Sequence, residues 1–243
     1  MNQQQYWDNM AKFGSTASVI DPNDIKGYKN EYIAKIRDSN ILKALIQPDN
    51  AHIVDFGCGT GNLSKTLVQN GFRVSGLDIS QELLHLAKQQ QDTNNKWDVY
   101  HYDGKHLPFE DNSIDAITTF SVLNYIHDND DLLNTLKEFY RILKPSGQVI
   151  AIEQATNVTI ISPDGSKKQR EITEFIDKFK QSGLQLNYYK NIRRGHFPLL
   201  YAIRYGLVPK SFYNALIKLE TIIGHISKKP IFDYADILFS LKK

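Results

Sequence analysis

Ile53-Val54-Asp55-Phe56-Gly57-Cys58-Gly59-Thr60-Gly61-Asn62 is an apolar strand that runs into three alternating glycines and then into a helix. Glycines two apart let the backbone bend through positive φ and approach a ligand where a Cβ would collide, and the helix that follows offers unpaired N–H groups at its start. The stretch reads as a cofactor-binding turn. Its spacing excludes two ligand classes. A dinucleotide turn wants another glycine three residues after the second one, and that position is Asn62. A phosphate-cradling loop needs Lys followed by Ser or Thr after its last glycine, and neither follows Gly61.

Outward from the turn, Leu63, Leu67 and Val68 predict a helix that stops at Gly71, and Phe72 to Asp78 predict a second strand, giving a βαβ unit. Asp78 ends that strand 21 residues after Gly57, near the ~20-residue offset at which an acid accepts hydrogen bonds from ribose hydroxyls. Ser80 is placed to cap a helix over 81–90. Residues 97–102 read as a third strand, ending in Asp103-Gly104, an acid that either meets a ligand at the strand's carboxyl end or opens a turn. Residues 114–120 form a fourth strand, after which Asn124 and Tyr125 should face the same crevice. Leu132, Leu133, Leu136, Phe139, Tyr140 and Leu143 make one apolar helix face with Asp128 as its cap, and Lys144-Pro145-Ser146-Gly147 breaks that helix before a fifth strand over 148–153. Upstream, Tyr32, Ile33, Ile36, Leu42, Leu45 and Ile46 predict an amphipathic helix over 28–46. Downstream, residues 169–182 read as helix, 184–192 as strand and 231–241 as a final strand.

Four landmarks in this order resemble the class I S-adenosylmethionine-dependent methyltransferases. Asp55-Phe56-Gly57-Cys58-Gly59-Thr60-Gly61 is similar to the family's first motif, Asp78-Ile79-Ser80 to its second, and Leu107-Pro108-Phe109 to the segment before strand four. Arg141-Ile142-Leu143-Lys144-Pro145-Ser146-Gly147 differs from the usual Leu-Lys-Pro-Gly-Gly by Ser146, which asks only for a slightly different turn. The four span residues 53–153, about two fifths of the chain. The resemblance implies an α/β, three-layer Rossmann-like fold with a seven-stranded sheet, mostly parallel, its last strand antiparallel. In one domain, residues 1–46 would form an N-terminal helical lid, 47–194 the cofactor-binding core, 195–228 a helical insertion covering the substrate, and 229–243 the final strand. It also implies S-adenosyl-L-methionine as cofactor. Gly57, Cys58, Gly59 and Gly61 would carry its methionine part, with Asp55 on the same turn. Asp78 and Ile79 would meet the ribose, Asp103 and Gly104 the adenine, and Phe120 the sulfur from beneath. Tyr6, Trp7 or Tyr28 either closes on the methionine end or packs the N-terminal helix onto the domain.

Composition bounds the rest. The 243 residues are 41% hydrophobic, enough for a sizeable core. Charge is nearly balanced, 29 basic against 27 acidic residues, so there is no global basic field for nucleic acid. A single cysteine, Cys58, forbids an internal disulfide, and with no leader pattern at the N-terminus the expected compartment is cytoplasmic. No run of 18 apolar residues predicts a membrane span, although residues 215–226 are apolar enough to touch a membrane or a lipid-linked substrate. The expected partner is a small-molecule acceptor, and the expected state a monomer or homodimer. The scattered histidines predict no metal site.

A sulfonium methyl is already an activated electrophile, so the protein must align the acceptor and, for a hydroxyl, remove its proton. Glu153, at the end of strand five, and His196, in the insertion, are the candidate bases; Glu153 could equally cap a loop and His196 pack. Arg193-Arg194 either holds a phosphate or carboxylate of the acceptor or is a solvated strand end. Aromatic Phe197, Tyr201, Tyr205, Phe212 and Tyr213 in the insertion, with these arginines, favour O- or N-methylation of a sugar, nucleotide-sugar or glycolipid intermediate. Methylation of an aromatic or quinone-type metabolite suits the apolar segment 212–226, and a non-catalytic, cofactor-binding regulatory or assembly role is the third reading.

Overall fold

The computed structural model describes residues 2–14, 20–195, 198–226 and 234–243. In chain order the elements are α1 (Gln3–Met10), α2 (Tyr28–Ala44), β1 (His52–Phe56), α3 (Asn62–Gln69), β2 (Arg73–Asp78), α4 (Gln81–Gln89), β3 (Asp98–His101), β4 (Ile114–Phe120), α5 (Asn129–Ile142), β5 (Leu143–Thr156), β6 (Ile160–Ile161), β7 (Lys168–Glu171), α6 (Ile172–Gln181), β8 (Gln185–Arg194), α7 (Pro198–Arg204), α8 (Tyr213–Ile226) and β9 (Ala235–Lys242).

Seven strands form the main sheet in the order β3-β2-β1-β4-β5-β9-β8. Strands β3, β2, β1, β4 and β5 run parallel. The last strand, β9, inserts antiparallel between β5 and β8, from Gln148↔Lys242 to Ala155↔Ala235 on one side and from Gln185↔Lys242 to Arg194↔Ala235 on the other. The expected seven-stranded arrangement is therefore present, and two further strands enlarge it. β5 runs on past the end of β4, and its Ala155 and Thr156 pair parallel with Arg170 and Glu171 of β7, which forms a hairpin with β6. Sequence reading placed helix over 169–171; there the chain is strand, and α6 begins at Ile172. The helix α5 ends at Ile142, ahead of the expected break, but the fifth strand, expected over 148–153, begins earlier. β5 starts at Leu143, and a register shift opposite Ile114/Ala116 absorbs the Lys144–Gly147 stretch.

The central strands are buried on both faces, which is why β1, β4 and the Val149–Ile152 part of β5 are rich in apolar residues. One face is covered by α5 and α6 through Leu132, Leu136, Phe139, Phe175 and Phe179. The other is covered by α2, α3, α7 and α8 through Tyr32, Ile36, Leu63, Leu67, Leu200, Ile203, Tyr213 and Ile217. The helices α7 and α8 of the insertion are thus structural members of the second layer: Tyr213 is 1% exposed and meets Tyr32 edge-on at 5.2 Å. Predicted caps form as expected. Ser80 Oγ accepts from Leu83 N, and Asp128 accepts from Asp130 N and Asp131 N. Because the chain leaves β1 for β2 on one side while β4 lies on the other, the crevice opens at the carboxyl ends of β1 and β4.

Candidate active site

The turn after β1 is built by close approach. Gly57 stands at φ +73 with its N–H on Leu77 O at 2.7 Å, and a Cβ there would lie 2.2 Å from Val122 Cγ2. Only glycine lets β1 and the loop after β4 come this near. Gly61, at φ +80, admits the Trp97 ring, which a Cβ would meet at 2.6 Å.

Around this turn lies a cavity of about 560 Å³. Gly57, Cys58, Gly59, Asp78, Ile79, Asp103, Gly104 and Phe120 all line it. Asp78 Oδ2 accepts from Gly59 N at 2.8 Å and Oδ1 from Ser80 N at 2.9 Å, so the carboxylate is held rigidly at the end of β2. Burial raises its pKa to about 6, against the lowering effect of those N–H groups. Asp103 is exposed and held low by the N–H groups of Lys105 and His106, so it opens the turn and lines the cavity at once.

Four expected positions behave differently. Asp55 borders the cavity, but its oxygens take the hydroxyls of Ser64 at 2.6 Å and Thr118 at 3.3 Å, which ties α3 and β4 to β1. Burial raises it to about 6. Gly61 lies outside the lining and serves the packing of Trp97. Tyr28 also lies outside it, packed against Gly206 with the Lys210 ammonium 5.6 Å from its ring; Trp7 of α1 is the N-terminal aromatic that reaches the cavity. Glu153 is fully buried and lines neither this cavity nor the chamber described below; it accepts from Val122 N and Leu123 N at 2.9 Å and from Asn124 N at 3.3 Å. It caps the loop after β4, the second of its two sequence readings. His196 lies outside the described residues.

The sequence reading missed Arg37 of α2. Its side chain lines the cavity, is 4% exposed, and stands 5.3 Å over the Phe120 ring. Nε donates to Asp38 at 2.7 Å, while the buried Nη2 has no partner. A buried guanidinium nitrogen without an acceptor is costly, and the carboxylate of a methionine moiety on the glycine turn would satisfy it. With Asp78 for a ribose and an apolar floor of Phe120 and Ile79, the lining fits S-adenosylmethionine in charge at both ends.

Residues 54–151 match the family model described as a methyltransferase domain. The matched stretch is about two fifths of the chain. The chain is similar to the demethylmenaquinone methyltransferases of Oceanobacillus iheyensis, 39% identical over 106 residues, and Staphylococcus epidermidis, 32% identical over 123 residues. These alignments cover 41% and 49% of this chain and 43% and 49% of those proteins, so the chain spans about half the length of the curated relatives it matches. The geranyl diphosphate C-methyltransferase of Streptomyces coelicolor A3(2) shares the fold over 99% of this chain and 96% of its own, with a TM-score of 0.70 at 17% identity.

Beside this cavity lies a second chamber of about 150 Å³. Trp7, Phe120, Ser121 and Tyr125 line both, so the carboxyl end of β4 and helix α1 form the wall between them. Tyr125 was expected at the crevice and is there; Asn124 is instead buried, its amide donating to Gln154 O at 2.9 Å. Ser121 sits at φ +57, a conformation non-glycine residues rarely hold, kept by its N–H on Ile152 O at 2.7 Å. Arg193 reaches this chamber, but its guanidinium is bidentate to Asp236, at 2.6 and 3.1 Å. Among the described residues no His/Cys/Asp/Glu cluster of metal-ligand character occurs, and no helix is long and apolar enough to cross a membrane.

Proposed function

We propose that the chain moves the methyl group of S-adenosylmethionine onto an oxygen or nitrogen of a small polar acceptor, such as a sugar, nucleotide-sugar or glycolipid intermediate. The observation that supports this reading is the shared wall: a cavity suited to the cofactor adjoins a chamber lined by Asp21, Lys29, Lys167, Arg193 and Asp236. The bound cofactor supplies an activated methyl group on sulfur. The protein's part is then alignment. Asp78 and Arg37 fix the two ends of the donor, Phe120 and Ser121 set its depth, and Trp7 with Tyr125 shields the transfer line from water. Transfer to an amine or an acidic hydroxyl proceeds by that alignment with no strong base.

A second reading, an aromatic or quinone-type acceptor, draws support from the demethylmenaquinone methyltransferases among the relatives and from the cluster of Trp7 against Tyr125 at 4.8 Å and Tyr6 at 5.2 Å. Incubating the protein with methyl-labelled cofactor and a whole small-molecule extract separates the two. Label in a product that carries a sugar or other polar head, in the aqueous phase or, for a glycolipid, in the organic one, is the expected result, and label confined to an aromatic or quinone product overturns the polar acceptor. Cofactor binding with no labelled product in either phase returns the non-catalytic role.

A further inference from the structure

The chamber's charges do not cancel. Asp21 is paired with Lys29 at 2.8 Å, and Asp236 with Arg193 through both guanidinium bonds. Lys167 is left over. Its ammonium donates to Gln154 Oε1, an amide oxygen that also accepts from Gln169 Nε2 at 2.9 Å, and its ion pairs with carboxylates number none among the described residues. The Tyr125 ring stands 5.8 Å away. Desolvation lowers the lysine to about 8, with Asp236, Glu153 and Asp164 pulling the other way from beyond ion-pair distance and Arg193 adding to the lowering, which leaves it mostly cationic at neutral pH.

The position of Lys167 is built. The hairpin β6–β7, which the sheet does not need, carries it at the end of a turn closed by Ser162 N on Lys167 O at 2.8 Å and by Lys167 N on Ser162 Oγ at 3.0 Å. Helix α1 rests on the same turn through Gln3 Nε2 on Ser166 O at 3.0 Å, and brings Trp7 to the dividing wall. A cation with no carboxylate in ion-pair contact among the described residues, held by an amide in a chamber too small for a whole drug-sized ligand, calls for one anionic group.

We infer that this chamber is the acceptor's anchoring subsite and that Lys167 pairs there with an anionic oxygen group, a carboxylate or a phosphate, carried by the molecule to be methylated. The inference rests on the methyltransferase reading above. Lys167 is a binding residue: it fixes the acceptor by its charged end so that the nucleophile meets the wall at Phe120 and Ser121. Arg193, neutralised by Asp236, shapes the chamber without supplying net charge.

The test uses full-length protein loaded with S-adenosylhomocysteine. Calorimetric titration with 4-hydroxybenzoate, its neutral analogue 4-hydroxybenzamide, and inorganic phosphate should show an anion binding at least tenfold tighter than the neutral amide. Benzoate binding alone identifies a carboxylate, phosphate binding alone a phosphate. Lys167→Met should remove the anion preference and Lys167→Arg should keep most of it, both with unchanged S-adenosylhomocysteine affinity. Equal binding of acid and amide, no anion binding to the loaded protein, or an anion preference that survives in Lys167→Met overturns the anchor. Failure of the wild type to take up S-adenosylhomocysteine instead overturns the underlying methyltransferase reading.

Discussion

At the scale of single residues, two buried charged groups divide the work around the crevice. Arg37 lines the cavity proposed for the donor with one nitrogen unpartnered, and its loss should be felt only by ligands that carry a carboxylate. Arg37→Met should weaken S-adenosylhomocysteine by about ten- to a hundredfold, the equivalent of ~1.5–3 kcal/mol for a hydrogen bond to a charged group. Methylthioadenosine, which lacks the amino-acid end, should bind the variant as it binds the wild type; equal losses for both ligands would remove Arg37 from the methionine end. Glu153 acts on the backbone. Burial raises its carboxyl from 4.5 to about 7, against the three N–H groups of the loop after β4. Between those values the folded chain keeps a proton that the unfolded chain gives up, so this group's stabilisation is complete below pH ~4.5 and is lost as pH rises through ~7. The difference in unfolding free energy between wild type and Glu153→Gln should therefore fall, by on the order of 3 kcal/mol, across that window. Denaturant melts that stay parallel from pH 4.5 to 7.5 would contradict it.

At the scale of elements, the insertion is less a detachable cover than a second layer. Leu200, Ile203, Tyr213 and Ile217 are all buried against α2 and the sheet, and Tyr32 OH reaches Glu220 at 3.2 Å. Tyr213→Ala should cost about 3–5 kcal/mol of stability, as truncation of a large buried aromatic does, while S-adenosylhomocysteine affinity measured well below the melting temperature stays within about twofold. A variant as stable as the wild type would mean that α8 does not pack as described. Sequence pattern could announce these helices but not their docking, because residues 212–226 are apolar around most of their surface, and Leu219 and Ile222 remain exposed in the fold. The β6–β7 hairpin was illegible for the opposite reason. Ile160 and Ile161 are exposed and Lys168–Glu171 is charged, so neither strand shows the alternation that marks a half-buried sheet.

At the scale of the whole molecule, what the sequence disclosed is what the sheet and the glycine turn require. Strands buried on both faces appear as apolar runs, a left-handed turn appears as glycine, and an acid at a strand's end stands where a ribose is met; β1, β2, β4, Gly57, Gly59 and Asp78 were legible on those grounds. Arg37 and Lys167 were not, because each comes to the crevice from a distant element and reads locally as one more charge on an amphipathic helix or a turn. Only a polar residue on the buried face of α2, where Asn30, Arg37 and Asn40 interrupt Tyr32, Ile36 and Ile41, hinted that this face meets something besides core. The same separation explains why Glu153 kept two readings: a carboxylate at a strand's carboxyl end looks the same in sequence whether it faces the ligand or the backbone of the next loop. The residues proposed to hold the donor converge on one cavity at the ends of β1, β2 and β4, and the most direct measurement is the heat of binding S-adenosylhomocysteine to the wild type and to Asp78→Ala. Saturable one-to-one binding that weakens about ten- to a hundredfold in the variant is the result expected from a buried carboxylate holding the ribose; wild-type protein that takes up no S-adenosylhomocysteine, or a variant that binds it equally well, would contradict the assignment of the cavity.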